Sequence, residues 1–174
     1  MFGLALSIGG LGALATWLAL SPLAGMVTIW AIFIGWAQYF HNGADTAALK
    51  NTIVCSIYGS VLAGVAFALI TQVGLGGASL PVNAAVWVGL TVFVLVFGAS
   101  IPAFSVIPSA VYGYAATAAY AIHAGPDLSA AGSTLAMDFT NPVAVVSLSI
   151  VVGAVFGLVS AKVAGMISGG GDDE

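Results

Sequence analysis

Charge is what this sequence has least of. Aspartate, glutamate, lysine and arginine together make up 5% of its 174 residues, against about 25% in a soluble domain. A water-facing surface cannot be built from that supply. The basic side chains are Lys50 and Lys162 alone, too few to neutralise a nucleic-acid backbone, so a nucleic-acid partner is excluded. Cysteine is almost absent as well. Cys55 stands alone in an apolar run, cannot form an internal disulfide and reads as a small buried hydrophobe. The chain has no phosphate-binding glycine loop, no dinucleotide fingerprint and no paired carboxylates for hydrolysis. An enzyme would need polar groups gathered in one cleft, and none is evident. No catalytic residue, cofactor or metal is therefore expected.

What is abundant is hydrocarbon. Apolar side chains make up 61% of the residues, and a helix needs about 20 of them in a row to cross a bilayer. Proline, glycine and polar clusters divide the chain into six apolar segments. They run from Phe2 to Leu20, Leu23 to Phe40, Ala47 to Val73, Val82 to Gly98, Pro108 to Ile122 and Pro142 to Ile167. These runs are too long and too continuous for the alternating strands of a barrel. The expected fold is an all-α membrane protein of six transmembrane helices. The first segment has no basic leader and no clear cleavage site, so it reads as a retained helix. Beyond it, Asp172, Asp173 and Glu174 follow three glycines and read as a flexible acidic tail over residues 168–174.

Two stretches echo each other. "YFHNGADTAAL" from Tyr39 and "YAIHAGPDLSAAG" from Tyr120 both contain His-x-Gly-x-Asp: His41, Gly43, Asp45 and His123, Gly125, Asp127. Each follows the second helix of a three-helix set. In the helices that come next, Ser60, Gly64, Phe67 and Ala68 align at one spacing with Ser149, Gly153, Phe156 and Gly157. The chain thus reads as two three-helix repeats, residues 1–78 and 79–167. Three spans per repeat is an odd number, so the second copy enters from the opposite face. The result is an inverted repeat of the kind common among transporters. Lys50 and Lys162 then fall on one side, which puts both termini in the cytoplasm. The two His-Asp motifs mark opposite mouths.

Each candidate residue carries two readings. His41, Asp45, His123 and Asp127 are pore-mouth or gating groups, because histidine titrates near neutrality and a carboxylate stabilises its charged form. Alternatively the glycines stop one helix and the aspartates cap the next. Asn51 and Asn141 sit near the two mouths, and Asn141 or Asp138 is placed to cap the last helix before Pro142. Gln38, Thr71, Gln72 and Asn83 read as solvated helix ends. Ser60, Gly64, Ser149, Gly153 and Gly157 lie on faces of small residues spaced four apart. Such faces either pack backbones closely or line a narrow path. A shorter ridge of Ala5, Gly9 and Ala13 suits contact between protomers. Phe97 to Ala110, with two prolines, reads as a turn or a re-entrant segment.

Six Gly/Ala-rich spans, the "GWAQYFHNG" end of the second helix and the acidic tail are features this chain shares with a known family. It resembles the DUF1097 family of small bacterial inner-membrane proteins, which is known only as a domain of unknown function. The resemblance implies a cytoplasmic-membrane location and supplies no activity. The residues themselves favour a channel or facilitator for a small, mostly uncharged solute: a urea-like amide, ammonia, a neutral weak acid or a gas. No ionisable residue stands at mid-span, where ion-coupled carriers place one. Two further readings stay open. One is a non-transporting subunit of a larger membrane complex, and the other is a proton-coupled transporter. The expected partners are the lipid bilayer, a small-molecule solute, a second copy of the chain and, in the subunit reading, another membrane protein.

Overall fold

The computed structural model describes residues 1–123 and 133–169. Asp127, Gly125 and residues 170–174 of the acidic tail lie outside those residues, and α6 runs on through Ser168 into the stretch expected as tail. Among the described residues six α-helices follow one another: α1 (Phe2–Leu20), α2 (Ile29–His41), α3 (Thr46–Ala68), α4 (Leu80–Gly98), α5 (Ile107–His123) and α6 (Pro142–Gly169). Among the described residues there is no β-strand, only a lone bridge between Ala24 and Val27. A wider π-turn at Leu69–Val73 extends α3, and Pro102–Phe104 forms a single tight turn.

Four helices are long and apolar enough to cross a bilayer: α1, α3 with its π extension, α4 and α6. The six expected helices are present, but the other two are shorter than a full span. At 1.5 Å per residue, α2 with its 13 residues and α5 with its 17 reach only about 20 and 26 Å, short of the ~30 Å hydrocarbon layer. The reason for the short α2 is local. Gly25 takes φ +83°, a left-handed turn that breaks the run from Leu23. Thr28 then starts the helix, its hydroxyl accepting from the Ala31 N–H. At the other end Gly43, at φ +114°, closes α2. Ala44 N–H bonds Tyr39 O and Gly43 N–H bonds Phe40 O, the paired C-terminal bonds that a glycine after the cap allows.

Packing is organised by two crossings of the same design. α2 lies on α6 so closely that a methyl added at Gly35 would strike the Ile150 backbone, and one at Gly153 would strike the Ile32 carbonyl. α5 lies on α3 in the same way: Gly113 faces the Ser56 carbonyl and Gly59 faces the Ala110 carbonyl. One sequence distance separates Ile32 from Ala110 and Gly35 from Gly113. A second single distance separates Ser56 from Ile150 and Gly59 from Gly153. In α2 and α5 the crossing glycine, Gly35 or Gly113, is followed by an aromatic residue with a hydrogen-bonded polar tip. Trp36 Nε1 donates to Ser160 Oγ at 2.9 Å, and the Tyr114 hydroxyl pairs with Thr91 Oγ1 at 2.9 Å. Between helices in lipid, the contacts that decide association are van der Waals packing of this closeness and the occasional hydrogen bond.

The crossings also shift the register expected from sequence. Gly59, not Gly64, occupies the place that Gly153 holds, because Gly64 meets the Val143 side chain rather than a backbone. The outer helices complete the bundle. Ser7 of α1 donates to the Ser160 carbonyl of α6 at 2.8 Å, and Gly3 sits against Ala164 and Ser168. The start of α1 and the end of α6 therefore share one end of the bundle. α4 is held more lightly, by Tyr58, whose hydroxyl passes Gly98 to reach the Val94 carbonyl at 2.9 Å. Asn83 holds it at the other end by bonding the Ile70 carbonyl in the π-turn at 3.0 Å.

Candidate functional site

α2 and α5 run antiparallel and side by side. Asn42, just past the end of α2, donates to Ser109 Oγ near the start of α5 at 3.0 Å. At the opposite end, Trp30 of α2 shares a cavity of about 510 Å³ with Ala119, Tyr120 and His123 of α5. Near the Asn42 end, Ile34, Ala37, Gln38 and His41 of α2 and Tyr112 of α5 line a second cavity of about 180 Å³. The seam between α2 and α5 thus has an open pocket towards each end, and a histidine lines each pocket. The middle is closed by Ala31 and Ala116, with Val146 and Ile150 beneath, all buried. Both helices are anchored mainly elsewhere, α2 on α6 and α5 on α3, through the glycine crossings.

The smaller pocket borders the most polar part of the interior. Gln38, Asn42, Thr52, Ser56 and Ser109 come together from α2, α3 and α5. Asn42 Nδ2 also donates to Thr52 Oγ1 at 2.9 Å. Ser56 Oγ lies 2.8 Å from Gln38 Oε1 and 3.1 Å from the Ser109 carbonyl. Gln38 is only 3% exposed, and its Nε2 has no partner. A buried amide nitrogen left this way costs about 1–3 kcal/mol. The helices that place these groups do so by spacing alone. Gln38 and Asn42 are one turn apart, as are Thr52 and Ser56, so each pair lies on one face.

The residues singled out in the sequence are distributed as follows. His41 is exposed at the end of α2, and Asp45 Oδ1 accepts from the Ala48 N–H at 2.6 Å to cap α3. No ion pair joins the two among the described residues. His123 is exposed at the end of α5. Asn51 is half-buried in the second turn of α3. Asn141 caps α6, its Oδ1 accepting from the Val143 N–H at 2.8 Å. Its Nδ2 gathers the Thr134 and Ala136 carbonyls. Asn141 and Gly64 meet at a shallow cavity of about 300 Å³. Asp138 makes a local turn, accepting from both the hydroxyl and the N–H of Thr140. The Thr140 hydroxyl first, and its N–H second, hold the Asp138 carboxyl below the usual carboxylate range.

The small residues make close contacts between helices. Ser60 donates to the Gly113 carbonyl, and Ser149 accepts from the Thr28 N–H while donating to the Val145 carbonyl. Gly153 meets Ile32, and Gly157 faces the Tyr39 ring. Among the described residues no group of three potential metal ligands exists.

Sequence reasoning missed the polar junction. Gln38 reads from the sequence as a solvated helix end. Gln38 and Ser109 lie near the ends of α2 and α5, but Ser56 is in the middle of α3, so no local pattern joins the three.

Four long apolar helices, two shorter ones and polar groups collected at one junction define an all-helical, multi-pass membrane protein. The chain belongs to the DUF1097 family, described as a protein of unknown function, which matches residues 5–165. No curated protein and no solved structure matches it.

Proposed function

We propose that this protein is a passive facilitator for a small, mostly uncharged solute, and that the route is the cleft between α2 and α5. The observation that carries the reading is the cleft itself, with a pocket and a histidine at each end and a thin apolar plug between. Passage requires α2 and α5 to part by the width of Ala31 and Ala116. Both helices can tilt with the long helix each is fixed to, so the glycine crossings need not break. Two matching crossings support an inverted repeat of residues 1–78 and 79–167, a plan that gives a route two similar mouths. The walls of the cleft carry no lysine, arginine or carboxylate among the described residues, which suits a neutral solute. Placement in a bacterial cytoplasmic membrane, with both termini inside, agrees with Lys50 and Lys162 lying exposed at the start of α3 and near the end of α6.

A second reading, a non-transporting subunit, draws on α4. That helix is the least covered of the four spans and shows an apolar surface from Leu80 to Phe97. The two are separated by stopped-flow light scattering on proteoliposomes challenged with urea, formamide, acetamide, glycerol and ammonium, without a proton gradient. Swelling faster than empty liposomes with at least one solute supports the facilitator. No flux with any, together with co-purification of another membrane protein, supports the subunit.

A further inference from the structure

The larger and smaller pockets differ in chemistry, and the smaller one is specific enough to name a ligand class. Building on the facilitator reading, we infer that the Gln38 pocket is a binding site for a small neutral amide such as acetamide. Three observations lead there.

The first is an unmet hydrogen bond. Gln38 is 97% buried and lines the cavity, yet its Nε2 has no partner. The Ser56 hydroxyl carries one proton, but two acceptors surround it, Gln38 Oε1 at 2.8 Å and the Ser109 carbonyl at 3.1 Å. If that proton goes to Gln38, the amide nitrogen is left over. If it goes to Ser109, the amide turns so that its nitrogen donates to Ser56, and the oxygen is left over. In either arrangement one edge of the Gln38 amide is unmatched. A ligand that both donates and accepts satisfies both arrangements, and a primary amide is such a ligand.

The second is the rest of the wall. His41 and Tyr112 each offer a donor and an acceptor, while Ile34 and Ala37 are apolar. No lysine, arginine or carboxylate lines the cavity. It thus holds no carboxylate to neutralise a cation and no lysine or arginine to neutralise an anion, whereas a methyl group would find an apolar surface. The third is size. A cavity of about 180 Å³ has the volume of roughly six liquid waters at ~30 Å³ each, below the ~300 Å³ where drug-sized pockets begin. Molecules of a few heavy atoms fit.

The test is binding, measured apart from flux. The full chain in detergent micelles, labelled with ¹³C-histidine, gives two imidazole signals, which His123→Gln assigns. Acetamide is titrated in, with acetate as the charged isostere. The expected result is a saturable shift of the His41 signal with acetamide, no saturable shift at His123, and none with acetate. Gln38→Leu removes the unmatched amide and should weaken the apparent affinity by about tenfold or more. Gln38→Leu also strips a partner from Ser56, so Ala37→Leu is the second variant. It fills the cavity and leaves every hydrogen bond in place, and it should abolish the saturable shift. Equal, non-saturating shifts at both histidines would overturn the inference. So would acetate binding as well as acetamide, or unchanged titration in Ala37→Leu. Flux without this binding would sink the amide site and leave the facilitator standing. Binding without flux would do the reverse.

Discussion

The two glycine crossings share a backbone and differ in what surrounds it. Where α5 meets α3, the contact carries Thr52, Ser56 and Ser109, and Gln38 and Asn42 complete a hydrogen-bonded cluster. Where α2 meets α6, the corresponding places hold Val146, Ile150 and Ala31, flanked by Ala116 and Tyr120. Packing cannot explain the difference, since the apolar crossing closes just as tightly. Buried polar groups cost free energy unless paired, and one pair here is incomplete. The two crossings thus share one packing solution and differ in polarity, and the facilitator proposal assigns the solute to the polar one.

That comparison can be broken most forcefully at its shared element. Gly113→Ala and Gly153→Ala each drive a methyl into a facing backbone carbonyl. Both should lose about 1–3 kcal/mol from overpacking, seen as similar falls in the midpoint of thermal unfolding in detergent. A clear loss at one and none at the other would show that the crossings are not equivalent. Gly9→Ala is the contrast. Nothing lies within reach of a methyl there, so it should be neutral or stabilising by up to about 1 kcal/mol through helix propensity. A large loss at Gly9 would instead reveal a partner seated on α1.

The polar copy can be tested against itself. Asn42→Ala leaves the Thr52 and Ser109 hydroxyls without their shared donor. It should cost about 1–3 kcal/mol. The paired change Thr52→Val with Ser56→Ala makes the polar crossing resemble the apolar one. Asn42 and Gln38 keep their amides but lose these hydroxyl partners, so the change should cost about 1–3 kcal/mol, while solute flux falls. Trp36→Phe, which removes the bond to Ser160, should cost about 1 kcal/mol and leave flux intact.

The smallest effect lies in the loop before α6. The Asp138 carboxyl is held low by Thr140, so its ionised form is favoured in the folded chain. Its contribution is fully present above the ordinary carboxylate range and is lost as pH falls through the depressed value. Thr140→Val should move the Asp138 titration upward, seen by carboxyl ¹³C shifts, with little change at neutral pH. An unmoved titration would show that other groups hold the carboxyl low.

Much of the fold could be read from the chain. The ends of α1 and α4 to α6 fall within about two residues of where breakers and apolar length put them, an accuracy usual for helix ends. α2 was overextended. An apolar run from Leu23 looks like helix whatever the backbone does, and only the left-handed Gly25 and the Thr28 cap reveal the later start. Ridges of small residues signalled close packing but not which glycine meets which carbonyl, because four-residue spacing fits several registers. Asp45 and Asn141 were recognisable as caps from the breakers beside them. The junction of Gln38, Ser56 and Ser109 was not recognisable, because these residues are far apart in sequence and belong to three helices. Only the crossing angle and register bring them together.

The most direct measurement is acetamide flux into proteoliposomes by stopped-flow light scattering, comparing the parent chain with Ala37→Leu at equal folded protein. Ala37 lines the cleft pocket and sits outside both glycine crossings. If α2 and α5 enclose the route, the parent swells faster than empty liposomes and Ala37→Leu does not. Equal, rapid swelling with both proteins would contradict it and place the route elsewhere in the bundle.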